Sequence, residues 1–191
     1  QIGGHLEAMD PVLALPVVEL CLPRLEQLDT ADATDLLADL RRFALHNRHL
    51  SVFEFALLKR VEQQIRPLPP VLQRHALEDR AQPVAVLVHA LLAHGSHDPD
   101  ALPEHYHRLM RTHWVDPPPL PVLGADPLAT LDRALRPLRA LDAGGQRKLL
   151  ALCARTVESD GVLHIREYEL LRVIAGLLAC PLPLLQGVNP A

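Results

Sequence analysis

At 191 residues, 49% hydrophobic and 22% charged, the chain has an ordinary globular composition and enough length to bury a real core. A net charge of −4 and only six aromatic residues (three Phe, two Tyr, one Trp) argue against nucleic acid and anionic membrane surfaces as partners. Cys21, Cys153 and Cys180 are an odd number at wide spacing, which suits a reducing compartment better than a disulfide framework or a CxxC metal knuckle. No apolar run approaches the ~18 residues of a membrane span, so no direct membrane insertion is expected. No signal peptide is recognisable. Residues 1–9, with Gly3-Gly4-His5 and no initiator Met, read as a linker or added segment, and the whole chain as a piece of a longer protein.

Eighteen prolines and nine glycines divide the chain into segments whose apolar residues recur at helical spacing. Leu36, Leu37, Leu40 and Phe43 follow that period, as do Phe53, Leu57, Leu58, Val61 and Ile65. Leu170, Leu171, Ile174, Leu177 and Leu178 repeat it near the end, and clean two-residue alternation is absent. These patterns predict an all-α bundle of eight to nine helices, near 14–28, 31–46, 52–66, 70–79, 83–94, 102–114, 126–141, 144–159 and 165–179. Pro23 and Pro137 lie inside two of them and predict kinks or late starts.

The most informative feature is an internal repeat. A shift of 113 residues lays Leu22–Ile65 on Leu135–Leu178 without a gap, with 12 identities in 44 positions. Leucine matches are cheap in a leucine-rich chain. Asp29/Asp142, Arg42/Arg155 and Glu54/Glu167 are not, and Phe55/Tyr168 and Lys59/Arg172 are conservative pairs. The organisation expected is a first, degenerate repeat over 10–66, a helical connector with a Pro-rich loop over 67–125, a second repeat over 126–185 and a tail over 186–191.

The second copy reads Val157-Glu158-Ser159-Asp160-Gly161-Val162-Leu163-His164-Ile165-Arg166-Glu167, continues Glu169-Leu170-Leu171-Arg172-Val173-Ile174-Ala175 and ends Cys180-Pro181-Leu182-Pro183-Leu184. Its Asp-Gly turn followed by an acidic, leucine-rich helix resembles the TerB-like helical domains. The longer string resembles the C-terminal cytoplasmic region of large bacterial zinc membrane proteases of the HtpX type, in which a degenerate first copy precedes a better-kept second one. The first copy here departs from the motif, with His46-Asn47-Arg48 in place of Ser159-Asp160-Gly161. The resemblance implies a non-catalytic interaction or regulatory domain at the cytoplasmic face of the inner membrane, working with a protein partner or the upstream protease domain. The family's H-E-x-x-H zinc motif has no counterpart, because no His-Glu dipeptide occurs in this chain. Catalytic zinc is thus expected only in an upstream domain, with no cofactor in this one.

A stand-alone divalent-cation-responsive module is the alternative. Counted as a twelve-residue calcium loop from Thr156, the sequence offers Glu158 and Asp160 as oxygen donors, Gly161 at the tight turn and Glu167 at the bidentate position. Thr156 stands where a charged ligand is normal, so any Ca²⁺ binding would be weak. Ordinary local structure accounts for the same residues. Asp160-Gly161 is a turn pair, and Glu167 matches Glu54 of the Ser51-Val52-Phe53-Glu54 capping box. The histidines at 94, 97, 105, 107 and 113 have poor zinc spacing for one helix face. The three cysteines read as small core residues, and Trp114 as an anchor for the Pro-rich loop or an exposed interface residue.

Overall fold

Most of the helical periods are realised among the described residues. The computed structural model describes residues 14–46, 52–67, 69, 71–94, 100–124, 126–158 and 165–180. Among them the fold is all-α, with eight helices: α1 (Ala14–Leu25), α2 (Thr30–His46), α3 (Val52–Ile65), α4 (Ala81–His94), α5 (Leu102–Met110), α6 (Pro127–Leu138), α7 (Ala143–Val157) and α8 (Ile165–Leu177). Pro23 and Pro137 fall in the last turns of α1 and α6. Neither helix starts late; each ends within two residues of its proline, which cannot donate to the carbonyl four residues back.

α4 organises the interior. Val84, Ala85, Leu87, Val88, Ala90, Leu91 and Leu92 are buried around most of its circumference, as a central helix requires. It packs chiefly on α6 and α7, while α3 packs on α8. The main core takes in Leu149, Leu150 and Leu152 of α7 and Leu170, Leu171, Ile174 and Leu177 of α8. Thr156 is fully buried and its hydroxyl donates to the Leu152 carbonyl at 2.8 Å. A much smaller cluster, Leu22, Leu37 and Val61, joins α1, α2 and α3. On α2, among the described residues of the expected stripe, Leu37 is buried and Leu36 and Leu40 are half-buried; the Phe43 side chain lies outside the description.

Helix bounds recur at the sequence shift. Adding 113 to Ala14–Leu25 gives the bounds of α6, Pro127–Leu138, and α7 and α8 begin 113 residues after α2 and α3. The turns before α2 and α7 are capped alike: Asp29 Oδ1 accepts the Asp32 amide at 2.8 Å, and Asp142 Oδ1 accepts the Gly145 amide at 2.6 Å.

Several expectations are corrected. The helix expected over 70–79 is absent: residues 71–76 run without helix, and a short 3-10 turn occupies Leu77–Arg80. His75 spends its backbone on the α6–α7 turn instead, donating to Ala140 and accepting from Asp142, both at 2.9 Å. Arg74 adds donations to the Arg139 and Leu141 carbonyls. Cys21 is exposed rather than in the core; Cys153 and Cys180 are buried as expected. Trp114 packs against the main core, and its indole donates to the Glu78 carbonyl at 3.1 Å, so it ties down the 3-10 turn. The Pro-rich loop is pinned by others: Tyr106 donates to the Pro118 carbonyl at 2.8 Å, His89 contacts the Pro121 carbonyl at 2.9 Å, and Thr130 donates to the Leu123 carbonyl at 3.0 Å.

Candidate functional site

A cleft of about 520 Å³ opens where α2 and α3 of the first segment meet α6 and α8 of the second. Its apolar floor is Leu37, Leu135 and Leu177. Across it runs a ladder of alternating charge. Arg41 on α2 pairs with Glu62 on α3, and Lys59 reaches Glu62 at 3.1 Å and Asp132 on α6 at 3.0 Å. Arg136 completes the ladder on Asp132 at 2.9 Å. Helical spacing builds half of it, since Lys59/Glu62 and Asp132/Arg136 are neighbours on their own helices. Two further guanidiniums line the cleft, Arg66 after α3 and Arg139 at the end of α6. Arg66 donates to the Thr34 hydroxyl at 3.1 Å.

Protonation states in the ladder are firmly set. Burial opposes the Lys59 ammonium, but its bonds to Asp132 and Glu62 outweigh that and raise its pKa above the ordinary 10.5. Burial also opposes the Glu62 and Asp132 carboxylates. Arg41 and Lys59 in the first case, and Lys59 and Arg136 in the second, hold both below their ordinary values of 4.5 and 3.8. At neutral pH all three are charged and none is poised to exchange a proton. The cleft therefore carries five cations and two carboxylates, a balance of 5 − 2 = +3, on a chain whose total is −4.

A second cavity, about 310 Å³, is its counterpart at the 113-residue shift. Lys59, Gln63, Asp132, Leu135, Arg136 and Leu177 of the first correspond to Arg172, Gly176, Glu19, Leu22, Pro23 and Gln64 of the second. The central contact is repeated: Lys59 bridges to Asp132, and Arg172 to Glu19. So is the stacking beneath it, with Lys59 5.8 Å from the Phe55 ring and Arg172 6.0 Å from the Tyr168 ring. In each case the third helix of one segment bridges to the first helix of the other, the reciprocity that a two-fold relation produces. The remaining charges are not repeated. Arg41, Arg66, Arg136 and Arg139 have Ala154, Ala179, Pro23 and Glu26 at the corresponding positions. The shared bridge serves the fold; four further arginines line the first cleft, against one, Arg60, in the second.

The residues singled out from sequence lie elsewhere. Glu158 closes α7, with its amide donating to the Ala154 carbonyl at 2.9 Å. Asp160 lies outside the described residues, as do Ser51 and His97, and Glu167 falls in the first turn of α8 with its side chain outside the description. Among the described residues no three His, Cys, Asp or Glu side chains gather as metal ligands would. Burial pushes the Cys153 thiol up to about 12, with Cys180 adding to it, and burial pushes Cys180 up to about 11. Both are protonated packing groups at neutral pH. The cleft itself was missed because its two walls are some 70 residues apart in sequence. The available signal was the Lys59/Arg172 pair in the repeat, read together with Glu19 and Asp132 at the same shift.

No helix among the described residues is long and apolar enough to cross a membrane. The chain matches no protein-family model, no curated protein and no solved structure.

Proposed function

We propose that the chain is a non-catalytic binding module whose recognition surface is the cleft between α2–α3 and α6–α8. The observation that carries this reading is the surplus of arginine in one of two corresponding cavities. Beyond the Lys59–Asp132 bridge, Arg41 and Arg136 extend the ladder on Glu62 and Asp132, which leaves Arg66 and Arg139 in the cleft without an ion pair among the described residues. The size of the cleft is that of a small-ligand site, and its charge selects anions. Lys59, Glu62 and Asp132 are held in their charged forms, which suits holding a ligand rather than transferring protons. Chemical-shift mapping of the labelled chain against anionic, neutral and cationic fragments tests it. Anionic fragments are expected to shift residues 37–66 and 132–139; shifts elsewhere, or none for any anion, would overturn the reading.

A finer reading rests on the string from Val157 to Leu184. Its likeness to the C-terminal region of HtpX-type zinc membrane proteases makes this module a regulatory domain on the cytoplasmic side. Its partner there is the protease domain or a protein that docks beside it. The coding sequence upstream of this chain decides the matter. Membrane spans and an H-E-x-x-H helix support it, and their absence sinks it.

A further inference from the structure

We infer that the cleft is built for an organic phosphate ester, with Arg66 and Arg139 as its anion contacts and Leu37, Leu135 and Leu177 as the bed for an apolar body. This rests on the cleft being the binding surface, and it adds the ligand class.

The argument is one of charge and partners. Of the five cations, Arg41, Lys59 and Arg136 are already spent on Glu62 and Asp132. Among the described residues the Arg66 guanidinium is bonded to a neutral hydroxyl, and Arg139 lines the cleft without an ion pair. Arg139 is also crowded by a like charge. Burial first, and then the neighbouring Arg74, lower its pKa. Arg74 cannot turn away, because it is held on the carbonyls of Arg139 and Leu141. Arg74 itself lies outside the cleft, on a neighbouring pocket that Arg139 also borders, so it is the partly buried Arg139 that an anion in the cleft relieves. The surplus of +3 exceeds what one carboxylate neutralises, whereas a phosphate ester brings roughly −1.5 to −2 at neutral pH together with three acceptor oxygens suited to arginine. The three leucines then favour an ester over the free ion. At the corresponding place in the second cavity the pair is missing, since Glu26 and Ala179 replace Arg139 and Arg66.

Calorimetric titration of the whole chain with phenyl phosphate, inorganic phosphate and benzoate tests this. One phenyl phosphate per chain is expected, bound at least about tenfold more tightly than either of the others, a difference of about 1.4 kcal/mol. Arg66→Gln and Arg139→Gln should each weaken it about tenfold or more, as loss of a charge-assisted hydrogen bond does. Arg147→Gln, an exposed position on α7 outside the cleft, should leave it unchanged, and thermal melts confirm that each variant is folded. A second arm uses phosphatidylcholine vesicles containing phosphatidic acid. Co-sedimentation that is lost in both cleft variants assigns the phosphate to a lipid headgroup; phenyl phosphate binding without co-sedimentation assigns it to a soluble ester. Benzoate binding as tightly as phenyl phosphate, with both sensitive to Arg139→Gln, would overturn the phosphate class while leaving the binding module standing. Equal weakening by Arg147→Gln, or no saturable binding to the folded wild type, would overturn the site.

Discussion

Gly145 marks the place where the connector is welded to the second segment. A Cβ there would meet the Leu77 backbone nitrogen at 3.1 Å, with Leu141 and Asp142 side chains at 3.3 Å. Its neighbour Gly144 meets only the Asp142 carboxylate, also at 3.3 Å. Alanine in a helix is normally worth about 1 kcal/mol over glycine. We expect Gly144→Ala to keep most of that gain and Gly145→Ala to reverse it, because backbone cannot retreat as a side-chain tip can; urea unfolding midpoints of the two variants check the contrast. Glu167 poses a different question at the same scale. If its role is to cap α8, Glu167→Gln melts like wild type with or without about 1 mM Ca²⁺, a concentration suited to weak sites. A Ca²⁺-dependent rise in wild-type melting temperature that vanishes in Glu167→Gln and Asp160→Asn would instead assign the acids to a cation. Sequence reasoning reached these acids because turn and capping signals are local. It did not reach Gly145, whose constraint comes from Leu77, 68 residues away.

Among elements, the two cross-segment bridges govern how α1, α3, α6 and α8 hold together. Lys59 and Asp132 are 29% and 21% exposed, and Arg172 and Glu19 are 31% and 35% exposed. Lys59→Met and Arg172→Met should each cost about 1–2 kcal/mol, between surface and buried pairs. The Lys59 change should be the larger, because it strips a partner from both Glu62 and Asp132. The double variant should be additive within experimental error if the bridges act independently. The ladder also sets a pH window. Glu62 and Asp132 have lowered pKa values, so their contribution is present above about pH 4.5 and is lost as acid passes through the lowered values. Lys59 has a raised pKa, so its contribution is present below 10.5 and is lost only as pH climbs through its higher value. The ladder's own contribution should therefore plateau between roughly pH 5 and 10. The buried Cys153 and Cys180 thiols weaken the fold as pH rises past 9.0, and the desolvated His113 weakens it as pH falls through 6.5. Asp132→Asn should flatten the ladder's acid limb in denaturation measured against pH. Seven of the nine helices expected from periodicity stand within a few residues of their expected bounds. Two differ most, the first for a reason remote in sequence. The 70–79 segment gave its backbone bonds to the α6–α7 turn, and the 102–114 helix stops at Met110, four residues short.

For the molecule as a whole, burial is unevenly shared. The main core gathers most of α4, α7 and α8, whereas the satellite cluster rests on three fully buried side chains, Leu22, Leu37 and Val61. α2 packs principally on α3 and has no comparable second neighbour. Amide hydrogen exchange should accordingly be fastest in α2 among the helices and slowest in α4 and α7, and a phosphate ester in the cleft should slow exchange at Leu37–Arg41 most. Uniform protection across α2 and α4 would contradict this. The sequence reported both segments as comparable amphipathic triads because hydrophobic period records which face turns inward, not how much lies beneath it. How deeply each triad is covered depends on α4, which serves the second segment far more than the first. That imbalance bears on how the protein is made. Synthesis delivers the thinly covered triad before the partners that complete it, α6 against Lys59 and α8 against α3, which follow only after the connector has been made. Until α8 follows, α3 presents Phe55 and Ala56, buried in the folded protein, without that cover. That interval exposes apolar surface of the kind that invites misassembly.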